Sequence, residues 1–374
     1  MKYFLIAGEA SGDMHAAVLM TQIKQRDPQA QFVGLGGSQM ATAECRLYQD
    51  IRHMAFMGFA AVLANMRQIR RNFRVAEEAL LQEKPDALIL VDYPSFNLRI
   101  AAFCKKHLPT TKIYYYIPPK VWAWKRRRIH RIAQLCDEVL GIFPFEPAFY
   151  AKYGYRCTYV GNPTAEQVAL NTQNNPNPPN NQSSPNSRTI AILPGSRESE
   201  IRHCLPKMLD AARRFADYRI VVCSAPGIDE AIYRACMREG ETLTRETYEA
   251  VRQAKAAVVN SGTATLETAL LGTPQVAVYH LACAWWLRWN RWWIQPLIFS
   301  IPYFTLVNII CGKEVIRELL GEDFTTEKVT AELQGLLTDE AYTKEMLVEY
   351  EHLSALLGTQ PAAATAAQII TSKR

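Results

Sequence analysis

The chain has 374 residues, which is too long for one ordinary hydrophobic core and predicts two domains. Hydrophobic residues make up 49% of it and charged residues 21%, a balance typical of a folded, water-compatible protein rather than a disordered one. The net charge of +6 does not by itself indicate a nucleic-acid-binding protein, but it is compatible with anionic partners.

Short apolar runs alternate with helix-length amphipathic segments along the whole chain. They predict strands at 3–7, 31–35, 87–91, 112–117 and 138–143, and then at 189–193, 219–223, 256–260 and 275–279. Because such runs between helices are typical of parallel sheets buried on both faces, we predict an α/β protein of two doubly wound, Rossmann-like domains. Ligands are expected at the carboxyl ends of the strands, in a cleft between the domains. Residues from about Thr325 onward are predicted to be helical.

The middle of the chain carries an uncharged Asn/Pro-rich stretch at 171–187, which is typical of a linker. We therefore predict an N-terminal domain at 1–168, a linker at 169–188 and a C-terminal domain at 189–340. The helices at 341–374 are expected to pack back on the N-terminal domain. The apolar N-terminus is interpreted as a first strand and not as a signal peptide. The uncharged run 292–312 is long enough to span a bilayer, but its prolines and polar residues favour other structures.

The first strand is followed by GEASGD, at residues 8–13. Its small residues have the outline of a phosphate-binding turn, but it carries Glu9 and Asp13 and no basic residue. Carboxylates do not suit a phosphate, so the residues alone leave the ligand of the loop that carries Glu9, Ser11 and Asp13 open. An alternative is that Asp13 caps the following helix.

The strand at 87–91 is followed by VDYPSFNL, which places Asp92 among apolar neighbours. A carboxylate in such surroundings can have a raised pKa, which suits a general base. The alternative is an aspartate that binds the backbone of its own turn.

Two loops in the second half have the form of an anion-binding site. LPGSRESE follows the strand at 189–193 and supplies Gly195, Ser196 and Arg197 at a helix start, where phosphate is favoured. NSGTATLE follows the strand at 256–260 and supplies Ser261, Gly262 and Thr263, with Glu267 placed to accept hydrogen bonds from ribose hydroxyls. Each loop alone could be an ordinary capped helix start, but together they indicate a nucleoside diphosphate.

Three segments combine basic with apolar or aromatic residues, as membrane-surface contacts do. The candidate contact residues are Met54, Phe56, Met57, Arg126, Arg127, Arg128, Trp285, Trp286, Arg288, Trp289, Arg291 and Trp292. The residues Arg67, Arg70, Arg71 and Arg74 form a further basic stripe at helical spacing. The alternatives for these segments are nucleic-acid binding, a solvated helix face, a buried core helix and a dimer contact.

The motifs GEASGD, VWAW, FEPAFY, YVGNP, ILPGSR and SGTATLE, in this order and spacing, resemble the lipid-A-disaccharide synthase family over nearly the whole chain. The resemblance implies a family 19 glycosyltransferase of the GT-B type, a hexosyltransferase. It would transfer diacylglucosamine from UDP-2,3-diacylglucosamine to 2,3-diacylglucosamine 1-phosphate in lipid A biosynthesis. It also implies that Asp92 is catalytic and that Asn308 belongs to the donor site. By the same resemblance, Glu9, Ser11 and Asp13 form an acceptor-side or reaction-centre loop that binds sugar hydroxyls. One departure is Ala61, where the family usually has a glutamate.

The same resemblance implies the partners and the location of the protein. The partners would be the two lipid substrates and the anionic inner-membrane surface of a Gram-negative bacterium, on its cytoplasmic side, with no nucleic acid. A homodimer is left open. The nine cysteines form no C-x-x-C pair and the chain has no D-x-D motif, so we expect no metal and no cofactor. The alternative function is a soluble UDP-GlcNAc-using enzyme of the same fold, either an epimerase or a peptidoglycan-type transferase.

Overall fold

The computed structural model describes residues 1–51, 66–123, 125–173, 188–260, 262–280 and 302–372. The chain divides into two compact units. The first comprises Met1–Glu166 and the segment that begins at Thr359, and the second comprises Gln167–Gly358. Each unit is a parallel sheet flanked by helices, which confirms the predicted α/β class with two doubly wound domains.

The first unit contains a parallel sheet whose described strands follow the order β3-β2-β1-β4-β5-β6-β7. Its strands are β1 Lys2–Ala7, β2 Gln31–Gly36, β3 Cys45–Asp50, β4 Ala87–Val91, β5 Lys112–Tyr116, β6 Glu138–Gly141 and β7 Thr158–Tyr159. Its helices are α1 Ala10–Arg26, α2 Ser38–Thr42, α3 Met66–Glu83, α4 Pro94–His107, α5 Arg128–Leu135 and α6 Glu146–Ala151, and α7 Pro163–Gln173 leads into the second unit.

The central strands β1 and β4 are apolar along their length because helices cover both faces of the sheet. Alternate side chains of β1 enter different cores, Phe4 and Ile6 on one face and Tyr3 and Leu5 on the other. The two strands pair in parallel with Ala7 opposite Val91. The loops that follow them therefore start side by side at one edge of the sheet.

The last helix, α15 Ala362–Ser372, completes the core of the first unit. Its apolar residues Ala366, Ala367 and Ile370 join the cluster that contains Leu19 of α1. The backbone N–H of Ala362 donates to Glu166 Oε2 at 2.9 Å, which fixes the start of the helix. The chain's end is thus part of the same fold as its beginning.

The second unit contains a parallel sheet whose described strands follow the order β10-β9-β8-β11-β12-β13. Its strands are β8 Thr189–Leu193, β9 Arg219–Cys223, β10 Thr242–Thr244, β11 Ala256–Asn260, β12 Gln275–Tyr279 and β13 Arg317–Leu320. Its helices are α8 Glu198–Ala212, α9 Glu230–Arg234, α10 Thr247–Gln253, α11 Thr263–Leu270, α12 Leu306–Cys311, α13 Thr326–Thr338 and α14 Glu340–Leu357, with a 3₁₀ turn at Gly321–Asp323.

All nine predicted strands are present, and the helical character of the chain after Thr325 is confirmed. Four further strands, β3, β7, β10 and β13, were not predicted, and they are the outer strands of the two described sheets. Outer strands are short or partly polar because only one side of each is paired. The predicted linker also needs correction at its start, because α7 continues through 169–173.

Candidate active site

The loops after β1 and β4 meet at the carboxyl edge of the first sheet. A Cβ atom added to Gly8 would come within 2.2 Å of the Tyr93 ring, so only glycine permits this approach. Glu9 is half-buried at the start of α1, and its charge contributes to raising the pKa of Tyr93. The structure therefore brings Glu9 and the Asp92–Tyr93 turn together, whereas Ser11 is exposed in the first turn of α1.

The turn after β4 holds Asp92 in an unfavourable backbone conformation. Asp92 and Tyr93 both lie in the left-handed region, with φ angles of 44° and 45°. Such residues cost about 1–3 kcal/mol each and are concentrated at functional sites. The turn is fixed because the Asp92 carbonyl accepts hydrogen bonds from Asn97 Nδ2 at 2.7 Å and from the Tyr115 hydroxyl at 2.8 Å.

The carboxylate of Asp92 is half-buried beside one basic group. Burial raises its pKa above the ordinary aspartate value, and the positive charge of Lys120 opposes that increase. Lys120 is exposed to solvent, but partial desolvation of its ammonium group by the surrounding protein lowers its pKa. An aspartate that remains basic and solvent-accessible in this way can accept a proton from a bound hydroxyl.

Asp13 corrects the prediction for the first loop. Its side chain is 2% exposed, and its two oxygens accept hydrogen bonds from the backbone N–H groups of Gly37, Gln39 and Met40. These three distances are 2.7, 3.0 and 3.1 Å. Asp13 therefore caps α2, the helix after the neighbouring strand, and not the helix in which it lies. A sugar-binding role for its carboxylate is not supported.

The PGSR loop lies at the carboxyl end of β8 and opens α8, as predicted. Gly195 has a φ of 120°, and Arg197 is the N-cap residue that directly precedes α8. The guanidinium of Arg197 is more than half exposed and donates to Glu200 Oε1 at 3.2 Å. The backbone N–H of Ser196 donates to Glu200 Oε2 at 3.1 Å. Backbone and side-chain donors thus converge on one anionic group.

The second predicted loop follows β11, which pairs with β8 so that Val259 lies opposite Leu193. Gly262 and Thr263 are exposed at the start of α11, while Ser261 lies outside the described residues. Glu267 is half-buried, and burial raises its pKa against the opposing effect of a hydrogen bond from Tyr248. The two helix starts therefore open at adjacent strand ends, and Glu267 lies one turn into the second helix.

Asn308 differs from its predicted role as a direct UDP ligand. The residue is fully buried, and Nδ2 donates to the Ile316 carbonyl and to Glu318 Oε1. Its Oδ1 accepts from the N–H groups of Val315 and Ile316. These four bonds use the whole hydrogen-bonding capacity of an amide side chain. The structure supports a brace between α12 and β13 instead.

The sequence analysis did not single out Glu146 as a functional residue. It is 1% exposed at the start of α6, and its Oε2 accepts from the N–H groups of Ile142 and Phe143. Its Oε1 accepts from Trp122 Nε1 at 3.2 Å, and burial raises its pKa to about 7. The Glu-Pro pair of FEPAFY at a helix start was the available signal.

The predicted membrane-contact residues fall into two groups. Arg126 and Arg127 are exposed, and Arg128 is half-buried with a hydrogen bond to Ser95 Oγ at 3.2 Å. The α3 stripe is exposed at all four of its arginines, Arg67, Arg70, Arg71 and Arg74. The remaining candidates lie outside the described residues, namely Met54, Phe56, Met57, Trp285, Trp286, Arg288, Trp289, Arg291 and Trp292.

No helix within the described ranges has both the length and the apolar character needed to cross a membrane. The same ranges contain no group of three or more His, Cys, Asp or Glu side chains placed to hold a metal ion.

Comparison with known proteins places the chain in one sequence family. The profile of a family described as lipid-A-disaccharide synthetase matches residues 3–370. A lipid-A-disaccharide synthase of Myxococcus xanthus is 36% identical, covering 99% of this chain and 96% of that protein. One from Syntrophus aciditrophicus is also 36% identical, covering 97% and 95%.

Solved structures show the fold at much lower identity. The calicheamicin glycosyltransferase CalG4 superposes with a TM-score of 0.61 at 12% identity, covering 99% of this chain and 97% of that one. A putative UDP-N-acetylglucosamine 2-epimerase from Listeria monocytogenes gives a TM-score of 0.61 at 11% identity, covering 99% and 95%. These likenesses support the predicted GT-B type of architecture.

Proposed function

The chain belongs to the lipid-A-disaccharide synthetase family, and from that premise we propose its substrates, its mechanism and the roles of its residues. The reaction is the transfer of diacylglucosamine from UDP-2,3-diacylglucosamine to 2,3-diacylglucosamine 1-phosphate. Direct displacement at the anomeric carbon inverts that centre and releases UDP. The observation that carries the proposal is the family match over residues 3–370, which includes both candidate loop systems.

The donor site in this proposal is formed by the loops after β8 and β11. Negative charge develops on the leaving diphosphate in the transition state, so donors aimed at it contribute most to the rate. Arg197 and the Ser196 N–H lie at the start of α8, and Gly262 and Thr263 lie at the start of α11. Glu267, one turn further along α11, is suited to accept hydrogen bonds from ribose hydroxyls. Asn308 supports this site only by bracing the chain around it.

The general base in this proposal is Asp92. Burial raises the pKa of this carboxyl, which makes it a stronger proton acceptor for the attacking hydroxyl of the acceptor. The positive charge of Lys120 opposes this increase and so favours the charged form of the carboxylate. Glu9 is retained as a hydroxyl-binding residue because its loop lies against the Asp92–Tyr93 turn.

The membrane surface is proposed as the place where this enzyme acts, since both substrates carry acyl chains. The exposed guanidinium groups of Arg126 and Arg127 and of the α3 stripe suit contact with anionic headgroups. The proposed location is the cytoplasmic face of the inner membrane of a Gram-negative bacterium, as a peripheral protein. Flotation with vesicles that contain or lack anionic lipid tests this, and equal recovery with both would contradict it.

The function is tested by incubating the protein with UDP-diacylglucosamine and diacylglucosamine 1-phosphate and analysing the products by mass spectrometry. We expect a tetra-acylated disaccharide phosphate and one UDP per product. Arg197→Ala should abolish turnover while the fold is retained, and Arg202→Ala on the same helix is the matched control. Turnover of UDP-GlcNAc by the wild type, with no reaction of the lipid donor, would favour the soluble alternative.

A further inference from the structure

Gly195 is surrounded by two side chains that approach from different elements. A Cβ atom at Gly195 would lie 2.6 Å from Asn260 Nδ2 and 2.7 Å from Glu200 Oε2. Asn260 is the last residue of β11, and Glu200 lies in the first turn of α8. The amide and the carboxylate therefore face the same small space above the glycine of the PGSR loop.

The amide of Asn260 is a buried donor that has no partner among the described residues. The residue is 2% exposed, and Nδ2 makes no hydrogen bond in the part of the chain that the structure describes. Within the described ranges, its Oδ1 has one weak contact, which it accepts from Cys204 Sγ at 3.7 Å. A buried donor that is left unsatisfied is costly and needs an explanation. Its location between the two proposed nucleotide loops supplies one.

The chemistry around Gly195 favours an anionic oxygen. The Ser196 N–H, the Arg197 guanidinium and Asn260 Nδ2 are all donors, and the positive end of the α8 dipole adds to them. The Glu200 carboxylate already accepts hydrogen bonds from Ser196 and Arg197, as a phosphate oxygen would. Glu200 is a flexible side chain with 19% exposure, so it can leave this position without any movement of the backbone.

We propose that Asn260 binds a diphosphate oxygen of the nucleotide donor, and that Glu200 competes with the diphosphate for the donors of the PGSR loop. When the nucleotide binds, its diphosphate replaces the Glu200 carboxylate as the acceptor for these donors. The Glu200 side chain turns toward solvent, Ser196 and Arg197 transfer their hydrogen bonds to phosphate, and Asn260 gains its missing acceptor. This inference rests on the proposed function, because it names further residues of the same donor site.

The test is calorimetric titration of the full chain with UDP. Asn260→Ala should weaken UDP binding about tenfold, the loss expected for one hydrogen bond to a charged group. Glu200→Gln keeps an acceptor for the helix start but removes the competing charge, and it should tighten UDP binding about fivefold. Glu198→Gln, which removes a charge from the same helix turn, and Thr268→Val, which removes another buried polar atom, are the matched controls and should change affinity less than twofold.

Competition with uridine, which has the base and ribose of UDP but no phosphate, distinguishes the loss of a phosphate contact from a general loss of nucleotide binding. Asn260→Ala should leave the affinity for uridine unchanged, and an equal loss for uridine and UDP would overturn the inference. Glu200→Gln without tighter UDP binding would also overturn it, even if Asn260→Ala failed to fold. A wild type that binds no UDP would refute the proposed function and this inference together, whereas unchanged UDP binding in both variants would refute only the inference.

Discussion

Asp13 provides the sharpest test of the structural interpretation, because a catalytic or sugar-binding carboxylate and a capping carboxylate predict different outcomes. Asp13→Ala removes the acceptor of three backbone hydrogen bonds at 2.7, 3.0 and 3.1 Å. Each hydrogen bond to a charged group contributes about 1.5–3 kcal/mol, and water can replace part of the loss at an open helix start. We therefore expect the free energy of unfolding to fall by about 3–5 kcal/mol.

The isosteric variant Asp13→Asn gives a second measure of the same contact. One oxygen still accepts from Gly37 and Met40, but the new NH₂ group faces the N–H of Gln39, so two donors oppose each other. We expect a loss of about 2 kcal/mol, since one partner is left unpaired. Ser11→Ala, in an exposed position of the same helix, is the matched control and should change stability by less than about 0.5 kcal/mol.

The assay combines urea unfolding with hydrogen exchange, because a chain of two units need not unfold in one step. Exchange at residues 37–43 should accelerate about a hundredfold in Asp13→Ala, as a loss of about 3 kcal/mol requires. Turnover per folded molecule should remain within a few-fold of the wild type. The reasoning is refuted if Asp13→Asn retains wild-type stability and exchange while its turnover falls by orders of magnitude.

Three further predictions concern other buried or half-buried polar groups. Asp92→Asn should lower kcat about 10²–10⁴-fold and leave the affinity for UDP unchanged. Because burial raises the pKa of Asp92, the kcat/KM of the wild type should begin to fall with decreasing pH while the pH is still above the ordinary aspartate range. Full activity of the variant across the pH range would contradict this role. Burial raises the pKa of Glu146 from its ordinary value of 4.5 to about 7, so the stability that its protonated form contributes is lost as the pH rises through that window. The free energy of unfolding in urea should therefore depend less on pH in Glu146→Gln than in the wild type, and equal slopes would argue against this. Asn308→Ala removes the side-chain partner of three backbone groups, the Ile316 carbonyl and the N–H groups of Val315 and Ile316, and should lower the free energy of unfolding by about 2–4 kcal/mol. A stable variant with lost UDP affinity would restore the direct-ligand interpretation.

The interior of both sheets could be predicted from the sequence. Strands such as 87–91 and 256–260 are covered by helices on both faces, so they must be apolar without interruption and are recognisable from that pattern alone. The outer strands are different. Cys45–Asp50 has one buried residue and five that are only half-buried or exposed, so it has no clear apolar pattern. It forms a strand because it pairs with β2, and the local sequence does not predict that pairing.

The loops of the candidate site were also located by the sequence, because chemistry in a parallel sheet gathers where strands end. Asp92, the PGSR loop and the loop after β11 are all at such ends. What each polar side chain does there was not determined. Asp13 and Asn308 both belong to motifs of the candidate site. The backbone groups that Asp13 binds are 24–27 residues away along the chain, and the N–H groups that Asn308 binds are 7–8 residues away, so these groups become neighbours only when the elements pack.

The sequence by itself therefore determined the fold class, the family resemblance and the positions of the loops, since these follow from local periodicity and contiguous motifs. The tertiary structure decided which polar groups are already satisfied and which still lack a partner. Asp13 and Asn308 already have hydrogen-bond partners in the backbone, whereas the buried amide of Asn260 has no acceptor among the residues that the structure describes. The physical reason is that hydrogen-bond satisfaction in a buried site depends on atoms that are distant in sequence and adjacent only after folding.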